Sequence, residues 1–387
     1  MNLSLPVGRG CRRAAVPLTN PASVGRGSCR AAVTSTKARL ARRLALPGSW
    51  NLTTRRFARW LLFTGCILGL PMFRAVTAAP PAGNSLVSFQ GMCDASAGVA
   101  LNDEWFVVAN DEDNVLRLYS RLTPGAPQAT LKLTRFLRLT RGKRETDLEG
   151  GARLGDRIYW ITSHGCDAAG QPAANRRRFF ATSVRWAGTT PALQFVGTPC
   201  STLLEQLAAD LRLAPFGLAA AATHAPKDPG ALNIEGLCAT PDGHLLIGFR
   251  NPVPHGQALL VPLLNPAEVV AGAPARFGDP LQLDLGGLGI RDLLWLNHRY
   301  LLIAGAYHGG GEMRLYEWAG DVTPARWIPS ADFGDTTPEA LLVFPGDAAA
   351  DRLTLLSDDG TRLIGCTDCK RLKSARLRQF RALSLTP

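Results

Sequence analysis

A charged residue recurs near the start of four segments that share one layout. Glu149, Glu235 and Glu339 each precede an apolar stretch, a polar turn and a short hydrophobic strand, and the fourth segment has the pair Arg291–Asp292 at this point. Residues repeated in this way face one place when the repeats surround an axis. Converging carboxylates repel one another, and a divalent cation with oxygen ligands relieves that repulsion. We therefore predict a site for Ca²⁺ or another divalent cation, held by Glu149, Glu235, Asp292 and Glu339.

Two alternative roles of the repeated acids stay open. Each acid would cap its own turn or pair with an arginine of the next repeat, or it would act directly in catalysis. Arg291 stands where the other segments have glutamate, so it would neutralise the ring without a metal or bind an anionic ligand through paired hydrogen bonds.

Polar residues also follow the strands of the second and third segments. His164 lies in "SHG" and Arg250 in "GFRNP", which places both beside the predicted ring. A catalytic site would use His164 as general acid or base, with Arg250 and Arg291 binding a phosphate or carboxylate group. The alternative is that His164 and Arg250 hydrogen-bond to the backbone of their loops.

Three further residues are candidates for ligand binding. Asp94 and Ser163 are expected at the same rim as the repeated acids. Asp111 opens the acidic turn 111–114, which lacks the downstream glycine and glutamate of an EF-hand calcium loop and is typical of a solvated hairpin turn.

The elements that must position these residues are short strands. Runs of four to six β-branched, aromatic and aliphatic residues alternate with turn residues every 8–15 positions after residue 84, which predicts an all-β fold. Regular spacing favours a β-propeller over a pair of β-sandwiches, with six blades expected and five or seven allowed. One short helical insertion is predicted near residues 201–213, where leucines recur at helical spacing.

The net charge of +12 belongs to the N-terminal part of the chain. Residues 1–78 contain thirteen Lys and Arg and no Asp or Glu, whereas the remaining residues carry a net charge of about −1. A basic run, the apolar segment 60–73 and small residues at Val76 and Ala78 indicate a signal peptide over residues 51–79. Residues 1–50 are interpreted as a disordered or wrongly translated basic leader, with a basic interaction tail as the alternative, and 80–387 as one propeller domain.

The charge distribution and the signal peptide together predict the location and the partners of the protein. We predict an exported protein, periplasmic or extracellular, with no nucleic-acid partner and no membrane span after signal cleavage. The expected partner is a small anionic ligand or a protein, and the expected state is a monomer. Of nine cysteines, six follow the leader and permit up to three disulfides, and "CTDC" at 366–369 is interpreted as a structural bridge or as free thiols.

Long motifs, in order, carry a resemblance to a known family. "FVVANDEDNVLRLY", "DLEGGA", "NIEGL", "LGGLGIRDL" and "PEALL" resemble a bacterial family called domain of unknown function (DUF) 3616, over most of residues 88–365. This resemblance implies an exported β-propeller-like domain without an established activity. The "EGL" units are more loosely similar to esterase-like phytases and related exported propellers.

Three hypotheses on function follow from these features. The first is a binding module with a ligand or divalent cation at the mouth of the propeller channel. The second is a metal-dependent hydrolase of phosphoesters or lactones that uses His164, and the third is a protein-interaction scaffold. The fold alone does not separate them, because function lies in sites that are built onto folds.

Overall fold

Five antiparallel sheets of four strands each make up most of the part of the chain that the structure describes. The structure, a computed structural model, describes residues 84–140 and 145–387. The predicted basic leader 1–50 and signal peptide 51–79 lie outside these residues.

In four of the sheets the strands follow one another in sequence from the innermost to the outermost, whereas the first strand of the domain belongs to the fifth sheet. That strand is β1 (Ser85–Gln90). Blade 1 comprises β2 (Ala97–Ala100), β3 (Trp105–Ala109), β4 (Val115–Ser120) and β5 (Ala129–Lys132). Blade 2 comprises β6 (Leu148–Leu154), β7 (Arg157–Thr162), β8 (Phe179–Ala187) and β9 (Thr190–Cys200).

The remaining blades repeat this arrangement. Blade 3 comprises β10 (Asn233–Ala239), β11 (Leu245–Asn251), β12 (Ala258–Leu263) and β13 (Leu281–Leu283). Blade 4 comprises β14 (Gly289–Leu296), β15 (Arg299–Gly305), β16 (Met313–Trp318) and β17 (Arg326–Trp327). Blade 5 comprises β18 (Pro338–Leu342), β19 (Leu353–Ser357), β22 (Gln379–Leu385) and, on its outside, β1; the hairpin of β20 (Leu363–Ile364) and β21 (Thr367–Asp368) lies between β19 and β22.

The blades form a closed ring. The inner strands β2, β6, β10, β14 and β18 contact one another in that order, and β18 contacts β2. Strand β1 pairs with β22 along its full length, from Ser85 opposite Ser384 to Gln90 opposite Gln379. The start of the domain thus completes its last blade, and the hydrogen bonds of that sheet hold the ring closed.

A hydrophobic core fills each of the five interfaces between neighbouring blades. The interface of blades 5 and 1 is aromatic: Phe89 lies 5.1 Å from Phe106 and 5.4 Å from Phe380 between ring centroids. The interface of blades 2 and 3 also receives the helical insertion, through Leu203 and Leu207. Every blade therefore buries both of its faces against neighbouring blades. A single blade could not bury these apolar side chains by itself.

The predicted insertion is confirmed and is longer than expected. It comprises α1 (Leu203–Ala209), a 3₁₀ segment over Leu211–Phe216 and α2 (Leu218–Ala221). A further short helix, α3 (Pro266–Val269), follows β12.

The all-β propeller is confirmed, and the number of blades is five, which the sequence allowed beside the favoured number of six. Division of the domain by a blade of 45–50 residues fails because the insertion separates blades 2 and 3 and the β20–β21 hairpin extends blade 5. Small residues on the inner strands suit the narrow ring: a Cβ on Gly150 would lie 3.0 Å from the carbonyl oxygen of Glu235 in the next blade.

One disulfide joins the two ends of the domain. Cys93, between β1 and β2, is bonded to Cys369, which follows β21, across 276 residues of sequence. Cys166, Cys200, Cys238 and Cys366 are free thiols. A bridge within the "CTDC" motif is therefore absent from the described residues, and one of the three disulfides that the sequence permits is formed there.

The described residues contain no helix that is both long and apolar enough to cross a membrane.

The close backbone contact between blades 3 and 4 predicts that Gly289→Ala destabilises the protein. A Cβ at this position would lie 1.9 Å from the carbonyl oxygen of Arg250, so the two backbones must separate. We expect the free energy of unfolding to fall by about 2 kcal/mol or more, since overpacking of this kind costs about 1–3 kcal/mol. Urea denaturation measures the change.

The control is Gly346→Ala, whose Cβ would meet only the side chain of Asp103, at 3.0 Å. Equal effects of the two substitutions would contradict the tight contact of the blades at Gly289.

Candidate functional site

A β-bulge at the start of four inner strands places the recurring charged residues. In blade 2, Leu148 pairs with Thr162 and Gly150 with Ile161, so Glu149 is the extra residue of the bulge. The same irregularity makes Glu235, Arg291 and Glu339 the extra residues of blades 3, 4 and 5. A bulge re-aims a side chain that regular pleating would direct elsewhere. Here it brings four charged side chains to the end of the axis at which the inner strands begin.

These residues converge with one position from blade 1. Its inner strand starts without a bulge, and Ser96 takes the equivalent place before Ala97. The Ser96 hydroxyl donates a hydrogen bond to the carbonyl oxygen of Leu148, at 2.6 Å. We call Ser96, Glu149, Glu235, Arg291 and Glu339 the inner ring.

A second ring follows from the register of the second strands. In each blade, the inner-strand residue that follows the inner ring pairs with one residue of the second strand. The residue two positions after that partner is polar in four blades and glycine in blade 4. This second ring consists of Asp111, Ser163, Arg250, Gly305 and Asp358. Asp94, Asp147 and Asn233 occupy equivalent positions, because each lies two residues before the inner-ring residue of its own blade. The sequence reasoning missed Asp147, Asn233 and Asp358, although the acid in "TDLEG" lies at the same spacing as Asp94.

Arginines compensate the acids of blades 3 and 5. Arg250 Nη1 donates to Glu235 Oε1 at 2.6 Å, and Asn233 Nδ2 donates to the same oxygen at 2.8 Å. Arg291 Nη1 pairs with Glu339 and lies 3.7 Å from Glu235 Oε2. Both arginines are buried. Loss of one partner of such a buried ion pair would leave the other charge buried and unpaired, which is strongly destabilising.

Gly305 makes room for the Arg291 side chain. A Cβ at Gly305 would lie 2.9 Å from Arg291 Nε, so the second ring has no side chain where the guanidinium passes. The Nε–H group of Arg291 is buried and has no hydrogen-bond partner within the described part of the chain.

Asp111 of blade 1 and Glu149 of blade 2 differ from these paired acids. Among the described residues, Asp111 and Glu149 make no hydrogen bond or ion pair, and Asp111 Oδ1 is buried without a partner. Burial, together with neighbouring carboxylates, raises the pKa of both groups well above the ordinary range. These two acids repel each other as well. The charge at this end of the axis is therefore asymmetric.

Asp94 and Asp358 form a carboxyl pair at the junction of blades 1 and 5. Their backbones form an isolated β-bridge, and a Cβ on Gly360 would lie 1.7 Å from Asp94 Oδ1 and 3.0 Å from Asp358 Oδ1. Burial and the adjacent Asp358 raise the pKa of Asp94 to about 8. The raised pKa of Asp94 favours its protonated form, which removes the repulsion from Asp358.

Asp147 and Ser163 are buried together in blade 2. The Ser163 hydroxyl hydrogen-bonds to the Asp147 carboxyl group, and Arg176 Nη1 lies 2.8 Å from Asp147 Oδ2. Burial raises the pKa of Asp147 to about 6 even though Arg176 opposes the shift. Ser163 is thus a support for this acid and is fully buried.

The placement of Asp292 corrects the predicted carboxylate ring. Arg291, and not Asp292, occupies the position equivalent to the glutamates, because Arg291 is the extra residue of the bulge. Asp292 Oδ2 accepts a hydrogen bond from the N–H of Leu341 at 2.7 Å, and its carboxyl group also accepts from the N–H groups of Leu237 and Leu293. It ties the inner strands of blades 3, 4 and 5 together.

The placement of His164 corrects the predicted catalytic site. His164 is fully buried, and the charged groups that act on it are Arg177, Arg178 and Glu205, none of which belongs to the rings. Its Nδ1 lies 2.7 Å from the carbonyl oxygen of Thr162, to which it donates. Burial lowers the pKa of His164 to about 4, which makes the imidazole a weak base, and the ring is fully buried.

The metal interpretation receives no geometric support. Within residues 84–140 and 145–387, no group of three or more His, Cys, Asp or Glu side chains is arranged so that it could hold a metal ion. Glu235 and Glu339 form ion pairs with arginines. This arrangement corresponds to the alternative in which Arg291 neutralises the ring without a metal.

The ring closure, the register and the two charged rings define a five-bladed β-propeller with a polar site at one end of its axis. Residues 187–362 match the family described as protein of unknown function (DUF3616). The match confirms the resemblance that the sequence motifs indicate. Curated proteins give no match.

Several solved structures resemble this chain at low sequence identity. An oxidoreductase named as a glucose dehydrogenase, from Thermus thermophilus, has a TM-score of 0.41 and 15% identity and covers 78% of this chain and 100% of its own. A PQQ-bound aldose sugar dehydrogenase from Streptomyces coelicolor has a TM-score of 0.37 and 12% identity and covers 79% and 100%. A luciferin-regenerating enzyme has a TM-score of 0.40 and 8% identity and covers 79% and 96%. These similarities carry no inference about activity.

The position of Arg291 predicts that Arg291→Met destabilises the protein strongly. The substitution leaves Glu235 and Glu339 buried with one arginine between them, and removal of one partner from a buried ion pair costs about 3–5 kcal/mol. Chemical denaturation measures the loss. Adding Glu339→Gln to Arg291→Met is expected to recover part of it.

The matched control is Arg276→Met, which breaks the exposed pair with Glu268 and is expected to cost less than about 1 kcal/mol. Equal costs for Arg291→Met and Arg276→Met would show that Arg291 does not compensate buried charge.

The raised pKa values predict that the protein loses stability as the pH rises. Asp94 has a folded-state pKa of about 8 and Glu339 of about 7, against ordinary values of 3.8 and 4.5, so the folded state binds more protons than the unfolded state between these limits. The free energy of unfolding is then expected to fall with rising pH, by about 1.4 kcal/mol per pH unit for each group that is protonated only in the folded state. Urea denaturation at several pH values measures this slope.

Asp94→Asn should flatten the slope, because the substituted group does not titrate. Asp156→Asn, at an exposed turn, should leave it unchanged. A stability that rises steadily from pH 5 to pH 8 would contradict the assignment.

Proposed function

We propose that this protein is a binding module that takes the ammonium group of a small organic cation at the charged end of the propeller axis. The observation that carries the proposal is the pair Asp111 and Glu149, two acids of adjacent blades without a cationic partner in the described chain. An uncompensated carboxylate in a partly buried site is stabilised by a ligand that brings the missing charge and the missing donors.

The distribution of charge supports a cation over the small anion expected from the sequence. Arg250 and Arg291 are occupied by Glu235 and Glu339, so this half of the site is close to neutral. The other half holds more acids than bases, with Arg176 and Lys370 as the nearby cations. An anion would meet net negative charge there.

The geometry supports an ammonium group over a metal ion. An ammonium group needs two or three acceptors in reach of its N–H donors, which the carboxyl groups of Asp111 and Glu149 supply. Ca²⁺ takes six to eight oxygen ligands, and the described residues offer no group of three acids that could share one.

Binding to a diamine tests the proposal. Isothermal titration with putrescine should show binding, whereas 1,4-butanediol, which has the same chain without charge, should not bind. Glu149→Gln and Asp111→Asn should each weaken binding at least about tenfold, since a charged hydrogen bond contributes about 1.5–3 kcal/mol. Glu312→Gln, at an exposed ion pair with Arg314, is the control and should bind like the parent protein.

Two outcomes would count against the proposal. Equal binding by the diol would show that charge does not select the ligand. Binding of Ca²⁺ with loss of thermal stability on addition of a chelator would favour the divalent-cation hypothesis instead.

We also propose that the protein is exported. The predicted signal peptide at residues 51–79 is one support, and the Cys93–Cys369 disulfide is another, because structural disulfides persist in oxidising compartments. Cell fractionation and N-terminal sequencing test this: recovery from the cytoplasm with residues 51–79 attached would refute it.

A further inference from the structure

A free thiol lies close in sequence to the disulfide that joins the ends of the domain. Cys366 is exposed at the tip of the β20–β21 hairpin, next to Gly365 in a left-handed turn conformation. Only two residues separate it from Cys369, which is fully buried and bonded to Cys93. One chain segment therefore carries both a free nucleophile and one half of a disulfide.

Few interactions fix this segment. Strands β20 and β21 have two residues each, joined by the pairs Leu363–Asp368 and Ile364–Thr367. Leu363 is 62% exposed, so the hairpin buries little apolar surface. Segments of this kind open locally at low free-energy cost. The exchange requires residues 363–368 to rearrange so that Cys366 reaches Cys369.

Other contacts show what the disulfide holds in place. The N–H of Asp359 donates to the carbonyl oxygen of Cys93 at 2.9 Å, and Lys370 Nζ lies 2.8 Å from Glu112 Oε1. Together with the bond from Cys369 to Cys93, these contacts fasten the arm after β19 to blade 1. This arm borders Asp94, next to Cys93 in sequence.

We propose that Cys93, Cys366 and Cys369 form a thiol–disulfide exchange site. The thiolate of Cys366 attacks Sγ of Cys369, a Cys366–Cys369 bond forms and the Cys93–Cys369 bond breaks. Cys93 leaves as a thiolate and takes up the proton that Cys366 released. The number of disulfides stays at one, so no external oxidant or reductant is consumed.

The exchange converts a bridge between blades into a bridge within the "CTDC" motif. In one form the first and last blades are covalently linked, and in the other the link is open and a free thiol lies beside Asp94.

Disulfide mapping tests the proposal. The oxidised protein is incubated at pH 8, quenched with acid, alkylated under denaturing conditions and digested without reduction. Mass spectrometry should detect the Cys366–Cys369 peptide together with alkylated Cys93, as a fraction that grows from undetectable to at least several per cent of the total. Cys366→Ser should abolish alkylation of Cys93.

Two controls keep the result interpretable. Cys200→Ser removes a half-buried thiol of blade 2 and should leave the exchange unchanged. Cys93→Ser removes the leaving group, and oxidation of this variant with glutathione disulfide should form the Cys366–Cys369 bridge while the protein keeps a cooperative thermal transition. The proposal is overturned if Cys93 stays bonded to Cys369 and Cys366 is alkylated under all conditions, or if Cys93→Ser treated with glutathione disulfide forms no bond between Cys366 and Cys369.

Discussion

Compensation of charge around one axis is the constraint on which this molecule depends. The inner strands of five blades begin at the same place, and bulges in four of them turn Glu149, Glu235, Arg291 and Glu339 toward each other. Three of these are acids, and buried acids cannot stay ionised together without partners. Arg291 pairs with Glu339 and lies close to Glu235, whereas Asp111 and Glu149 form no ion pair within the described residues.

The narrow ring and the charged site have a common origin in close contact between inner strands. Gly150, Gly236 and Gly289 have no Cβ where the next blade approaches, and Gly305 leaves space for the guanidinium of Arg291. Asp292 uses the same proximity, because its carboxyl group reaches backbone N–H groups of the inner strands on both sides. A wider ring would lose these contacts, and the charges would then be separated by solvent.

The junction of blades 5 and 1 differs from the other four because the chain begins and ends there. Strand β1 pairs with β22, the Cys93–Cys369 disulfide crosses the junction and Asp94 faces Asp358. Hydrogen bonds, a covalent link and a carboxyl pair thus meet at the one place where the ring is not continuous in sequence. The residues that close the ring therefore lie next to the carboxyl pair Asp94 and Asp358.

Several features of the fold and site could be predicted from sequence because they depend on local pattern. Short alternating strands indicated an all-β propeller, leucine spacing indicated the insertion near 201–213, and the shared layout of the repeated segments indicated that Glu149, Glu235 and Glu339 face one place. The number of blades could not be predicted, because an insertion and a hairpin lengthen the chain without adding a blade. His164 was misplaced because spacing along a strand does not tell whether the loop beyond it turns toward the axis or into the core.

The sequence by itself determined that charges recur at one point of each repeat, since that is a matter of residue type and spacing. Only the tertiary structure decided which charges meet. A bulge of one residue selects Arg291 over Asp292, because in a strand a shift of one position moves a side chain to the opposite face. The pairing of Cys93 with Cys369 likewise depends on ring closure, which brings together residues 276 positions apart. Pairings of this kind are decided by proximity in space, which is fixed only when all five blades have packed.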